Sequence, residues 1–208
     1  MVRKPLVLVK PALLLSESLM IVGSSPDLLG KNLGRTIDSF DDVVRFNRAP
    51  TAGFETDVGA KITLRVVNSH VALNIPMGAG WDPLGQPADF IPRLRNTRIL
   101  CWGPLVGFDL SSHIHGSNFI HMPEMTNPAF PGAFNGPQPG TSFSAGFGFV
   151  MLCLASGLAP HVCGFIMGTG TAGHYWEKAG PESGCHDRSM ERETLAKLRD
   201  EGKIIICS

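Results

Sequence analysis

The sequence has little charge of either sign, no paired-cysteine pattern and no apolar run of membrane-spanning length. Each shortage excludes a class of protein. Charged residues make up 17% of the 208 residues, with 18 basic and 18 acidic side chains and a formal net charge of zero. No basic tract or stripe stands out, so nucleic acid is not the expected partner. A local cationic pocket for an anionic ligand remains compatible with neutrality, because net charge says nothing about distribution. The five cysteines, Cys101, Cys153, Cys163, Cys185 and Cys207, are odd in number, widely spaced and without a CxxC. That disfavours a disulfide framework and a zinc site, and the expectation is free thiols in a reducing cytoplasm. His113 and His115 alternate along the chain but lack a third obvious ligand, so no metal is expected. The start, Met1 to Met20, is basic and then apolar, but Pro5, Lys10 and Pro11 interrupt it. Its unbroken apolar run, Ala12 to Leu15, is too short to span a bilayer, and no small-residue cleavage site follows. Residues 1–18 are therefore read as an N-terminal tail or strand without a transmembrane segment, and residues 19–208 as a single domain.

What is present is apolar material, 43% of the chain, enough for one sizeable core. Short runs rich in branched residues predict strands at Leu19–Gly23, Asp42–Asn47, Lys61–Val67, Arg98–Trp102, Asn118–Met122, His161–Ile166 and Lys203–Cys207. Several are nearly continuous in apolar character, as expected for strands covered on both faces. Helical patterns between them predict an α/β sandwich around a mostly parallel sheet of about seven strands. Ser25-Pro26-Asp27 signals a helix start, with Leu28, Leu29 and Leu33 as the buried face through to about Ile37. A nearly uncharged helix is expected from about Thr141 to Ser156, with Gly146 and Gly148 allowing close packing on the sheet. A third runs from about Ser189 to Glu201, with Leu195 and Leu198 inward and Gly202 as its stop. Gly78–Pro87 and Pro123–Pro139 are rich in glycine and proline, and the second is long enough to suggest a functional loop.

Polar residues gather where strands end. Ser24 and Ser25 lie between the first strand and a helix start, where hydroxyls and free N–H groups hold phosphates. Asn47 ends the second strand, and Gly140-Thr141-Ser142 opens the apolar helix. Ligands in open α/β sheets bind beyond the carboxyl ends of strands. No GxGxxG and no Walker lysine loop occurs, so neither a dinucleotide fold nor a P-loop has direct support. Further on stand His174-Tyr175-Trp176-Glu177, then His186 with Glu191 five residues later. Histidine is the side chain best suited to proton transfer near neutrality. Two of them could serve the attacking and leaving sides of one displacement.

Residues 21–70, IVGSSPDLLGKNLGRTIDSFDDVVRFNRAPTAGFETDVGAKITLRVVNSH, closely resemble the large sialylmotif of the eukaryotic-type sialyltransferases. Residues 139–165, PGTSFSAGFGFVMLCLASGLAPHVCGF, are similar to the small sialylmotif, His174–Glu177 to the third motif, and His186 to Glu191 to the very small motif, HxxxxE. The resemblance implies a Rossmann-like α/β/α sandwich of the variant GT-A type. It also implies an inverting glycosyltransferase that moves sialic acid from a CMP donor to a glycan hydroxyl. The CMP-sugar is then a substrate, and no cofactor or metal is needed. By that resemblance Ser24, Ser25 and Asn47 hold the nucleotide, and Gly140, Thr141 and Ser142 add contacts to the donor. His186 is the general base and His174 hydrogen-bonds the departing phosphate, with Gly23, Tyr175, Glu177 and Glu191 in support. Ser24 stands where the family usually has asparagine, and Gly140-Thr141-Ser142 where Ser-Thr-Gly is usual. These departures keep Kdo, another acidic sugar carried on CMP, open as the donor sugar. The positions of the family's usual disulfide read Leu19 and Gly157, in keeping with a cytoplasmic protein. The variable stretch Val71 to Gln138, with His113, His115, Phe130, Phe134 and Asn135, is where an acceptor would be read. Two other readings stay open, a catalytically reduced CMP- or glycan-binding protein on the same fold and a CMP-sugar hydrolase.

Overall fold

Strand formation follows the branched, apolar runs. In the computed structural model, which describes residues 15–68, 98–102, 119–122, 143–165, 173–176 and 186–208, the strands are β1 (Leu19–Val22), β2 (Asp42–Phe46), β3 (Leu64–Asn68), β4 (Arg98–Trp102), β5 (Phe119–Met122), β6 (His161–Cys163) and β7 (Ile205–Ile206). They form one sheet in the order β5-β4-β3-β2-β1-β6-β7, and every pairing is parallel. The chain winds outward from β1 to β5, then crosses back to place β6 on the other side of β1. The topological switch therefore lies between β1 and β6.

Side chains alternate between the two faces of the sheet. Leu19, Ile21, Val44, Phe46, Leu64 and Val66 pack on one side with the helices α3 (Ala145–Ala155) and α4 (Arg188–Asp200). Met20, Val22 and Val43 pack on the other with Leu28, Ile37, Val58 and Tyr175, around the short helices α1 (Gly34–Asp38) and α2 (Glu55–Val58). Seven consecutive residues of α3, Phe147 to Cys153, are buried, as expected of a helix apolar all round. The long helix α4 is two-faced, with Leu195 and Leu198 inward. Both long helices end on a glycine in the left-handed region, Gly157 (φ 81°) and Gly202 (φ 68°). In each, the next N–H (Leu158 or Lys203) reaches back to the carbonyl of Cys153 or Leu198, at 3.0 and 2.9 Å. This closes a Schellman motif.

Two helix expectations need correction. The first is not one helix from Ser25 to Ile37. Ser25 does cap a turn, its Oγ accepting from the N–H of Asp27 at 3.2 Å, but only a 3₁₀ turn, Pro26–Leu28, follows. Gly30 (φ 78°) and Asn32 (φ 55°) then take left-handed conformations that no helix continues through. Leu29 is consequently 45% exposed and does not join the buried face. The second helix starts at Ala145, not Thr141, because Ser144 is its N-cap and accepts from the N–H of Phe147 at 3.2 Å. Gly140, Thr141, Ser142, Glu177, His113, His115, Phe130, Phe134, Asn135 and both glycine- and proline-rich loops lie outside the described residues.

Candidate donor site at the sheet's switch point

The carboxyl ends of β1, β2, β3 and β6 meet the starts of α3 and α4 around a cavity of about 450 Å³. Gly23, Ser24 and Ser25 line it from β1, Phe46 and Asn47 from β2, Asn68 from β3, and Gly164 and Phe165 from β6. His174, His186 and Glu191 line it as well. Seven of the residues expected from the sequence therefore converge on one space at the switch point, where the topology predicts a ligand.

Close backbone approach builds the floor. The N–H of Gly23 donates to the carbonyl of Cys163 at 2.8 Å, and that of Ser25 to Gly164 at 2.9 Å. A Cβ on Gly23 would lie 2.2 Å from the Gly164 oxygen, so no other residue fits there. Ser24 and Ser25 keep their hydroxyls for a phosphate but not the helix start expected beside them. They stand before a three-residue 3₁₀ turn, not at the head of a helix, so a helix dipole adds nothing. Asp27 is exposed and does not line the cavity.

Asn47 is set by its backbone. It adopts φ 45°, a conformation asparagine tolerates better than other side chains with a Cβ. Its Oδ1 accepts from the N–H of Asn68 at 3.0 Å, which leaves the amide N–H₂ as the donor it offers. The turn after it is braced from beneath. The Arg65 guanidinium donates to the carbonyls of Asn47 (2.8 Å) and Ala49 (3.1 Å), and the Tyr175 hydroxyl donates to the carbonyl of Pro50. Arg65 and Arg45 are register partners on β3 and β2 and both are buried. Burial first, then the neighbouring Arg45 charge, lowers Arg65 to about 10, and burial also lowers Arg45. Tyr175 is buried, its hydroxyl pushed up to about 12 by that burial, and it stays a neutral donor. Its N–H donates to the carbonyl of Ser24 at 3.0 Å, tying the His174 segment to the end of β1. His174 itself stacks edge-on against Trp176, ring centroids 4.5 Å apart.

Glu191 is buried, and its role is now concrete. It accepts from the N–H of Ser144 at 2.5 Å and from the Ser144 hydroxyl at 2.9 Å, with Arg188 at 3.5 Å. The carboxylate joins the first turn of α4, just after His186, to the start of α3.

Sequence reasoning missed several members of the site. Asn68 had a usable signal, since it ends a strand as Asn47 does. Arg188 and Arg192 both line the cavity at i and i+4 on α4, and their spacing after His186 was visible. Arg45 and Arg65 were not recoverable, because charge inside a strand ordinarily reads as a solvent face. Among the described residues, no three His, Cys, Asp or Glu side chains are grouped to hold a metal, and no helix is long and apolar enough to cross a membrane.

A parallel sheet packed on both faces, with a cavity at its switch point, defines the class of protein as a Rossmann-like α/β/α sandwich. The comparisons then show which known proteins the chain is similar to. The model of the glycosyltransferase family 29 (sialyltransferase) matches residues 17–102. Human beta-galactoside alpha-2,6-sialyltransferase 2 is 48% identical over 58 residues, 28% of this chain and 11% of that protein. Human alpha-N-acetyl-neuraminyl-2,3-beta-galactosyl-1,3-N-acetyl-galactosaminide alpha-2,6-sialyltransferase is 41% identical over 87 residues, 42% of this chain and 26% of that protein. These matches thus span about a quarter or less of the curated relatives' own length. Among solved structures, a mammalian sialyltransferase superposes with a TM-score of 0.59 and 25% identity, covering 91% of this chain and 68% of that one. The resemblance to the sialyltransferases is borne out in sequence over the large motif and in fold over nearly the whole chain.

Proposed function

We propose that this chain is an inverting glycosyltransferase that moves sialic acid from a CMP donor to a glycan hydroxyl. The observation that carries the reading is the convergence of His174 and His186 on one cavity with Ser24, Ser25 and Asn47. The nucleotide lies over the ends of β1 and β2, where two hydroxyls and the Asn47 amide donate to it. The acceptor oxygen attacks the anomeric carbon from the far side while His186 takes its proton. The bond from that carbon to the phosphate oxygen breaks, its electron pair leaves with CMP, and His174 donates a hydrogen bond to the departing phosphate. Attack opposite the leaving group inverts the centre. General-base assistance of this kind is worth about 10²–10⁴-fold, and positioning in the cavity supplies much of the rest. The cytoplasmic setting belongs to the same proposal and rests on the cysteines, of which Cys153, Cys163 and Cys207 are free thiols.

Calorimetric titration with CMP, with CDP, UDP and NAD as controls, tests the donor half. Selective CMP binding supports the reading and leads to transfer assays comparing CMP-sialic acid with CMP-Kdo. The names of the relatives make galactose-terminated glycans the first acceptors to try. Failure to bind CMP would leave a protein of this fold without its donor site. Release of CMP from the donor at a rate indifferent to any glycan would point instead to a hydrolase.

A further inference from the structure

Behind the cavity, two thiols meet where the pairing of β6 with β7 ends. The strands pair His161 with Ile205 and Val162 with Ile206. The ladder reaches one residue further, because the N–H of Cys207 donates to the carbonyl of Val162 at 2.9 Å. The next residues in register are therefore Cys163 and Cys207. Side chains at matching positions of neighbouring strands share a face, and both cysteines pack with the cluster around Met20, Val22 and Tyr175. Cys153 belongs to the opposite face. Neighbouring strands lie about 4.7–4.9 Å apart, inside the Cα separation of about 4.4–6.8 Å that a disulfide spans. Burial first, then the neighbouring Cys207, pushes the Cys163 thiol up to about 12, so the two sulfurs lie within electrostatic reach. Both are free thiols in this structure, and neither lines the cavity.

We propose that Cys163 and Cys207 form a redox modification site, a reversible disulfide that ties β6 to β7. The proposal is independent of the transferase reading. Its oxidant is a low-molecular-weight disulfide of the glutathione class. The half-buried Cys207 gives its proton to solvent, and its thiolate attacks one sulfur of that disulfide, releasing one small thiolate. Cys163 then loses its proton and attacks the Cys207 sulfur, and the second small thiolate leaves with the electron pair. Both small thiolates take up the protons released. Two protein thiols become one disulfide, and the small disulfide is reduced to two thiols. Burial raises both cysteines, which keeps them protonated near neutrality, so the exchange is slow there and quickens with pH. The bond lies directly behind the cavity floor. The Cys163 carbonyl accepts from the N–H of Gly23 at 2.8 Å, and Gly164 follows it against Gly23.

The full chain would be equilibrated without oxygen in mixtures of reduced and oxidised glutathione at about pH 8.5, the ordinary thiol pKa. It would then be denatured, alkylated and mapped by mass spectrometry. Peptides carrying Cys163 and Cys207 should be recovered joined to each other in the oxidising mixture, with Cys153 still a thiol. The joined fraction should fall by about tenfold or more in the reducing mixture. The joined chain should melt above the reduced one, and Cys207→Ser should show neither the link nor the shift. Cys207→Ala provides a second variant if Cys207→Ser melts early. Recovery of both residues as thiols from the oxidising mixture would overturn the proposal. So would Cys207 held as a mixed disulfide with glutathione beside a free Cys163, or joined to any other cysteine. A link that lowers the melting temperature distorts the sheet, and that result overturns it too.

Discussion

Asn47 shows how much one position carries. Its left-handed backbone, its bond to Asn68 and the Arg65 brace beneath it all serve to present one amide group. Asn47→Gly keeps the conformation, because glycine adopts positive φ freely, and removes only the side chain. CMP affinity should then drop by about 1.5–3 kcal/mol, the worth of a hydrogen bond to a charged group, as read by calorimetry. His186→Ala should abolish transfer while CMP affinity stays near the wild-type value. Full turnover in that variant would show that the base lies elsewhere. Ser24, Ser25, Asn47, His174 and His186 were singled out because they stand at strand ends or in stretches that resemble the sialylmotifs, and all five line the cavity. Arg45 and Arg65 were not. Their burial is tolerable only because main-chain carbonyls accept from them, Lys61 and Val58 for Arg45, Asn47 and Ala49 for Arg65. Those carbonyls are brought together by the fold.

At the scale of elements, local rules succeeded where a helix is long and stumbled where it is short. The helix α4 has the Gly202 stop read from the chain, and its cap is Asp187, accepting from the N–H of Met190 at 3.0 Å. The stretch after Ser25 carries a good helix start and a leucine face, yet breaks at Gly30 and Asn32. Asn32 is held from outside, its N–H donating to Asp57 at 2.9 Å. The start of α3 is likewise decided at a distance, by Glu191. Ser144→Ala removes the cap to Phe147 and the hydroxyl bond to Glu191. A loss of about 1–2 kcal/mol is expected, which lowers the melting temperature by a few degrees in a chain of this size. An unchanged melt would mean that Ser144 has no capping role.

The whole molecule reports its burial through pH. Burial pushes Cys153 and Cys163 up from 9.0 to about 12, and Tyr175 up from 10.0 to about 12. In the unfolded chain these groups lose their protons near their ordinary values, so the folded state holds more protons in between. The stability they contribute is fully present below pH about 9 and is lost as pH rises toward about 12, at about 1.4 kcal/mol per pH unit for each group. Thermal melts from pH 8 to 11 should therefore decline, and Cys153→Ala should make the decline shallower. A flat profile would contradict the burial of all three. The sequence by itself determined the parallel α/β class, the positions of seven strands and the identity of the residues at their ends. Branched apolar runs bounded by turn residues leave a chain few other ways to hide them, and those signals are local. Only the tertiary structure decided which strand ends are neighbours. Crossing back from β5 to β6 beside β1 put Gly164 against Gly23 and opened the switch point. It also decided where helices stop and why α3 begins at Ala145, and it brought Arg188 and Arg192 to the cavity that His186 lines. Each of these depends on groups far apart in the chain, whose meeting no local pattern encodes.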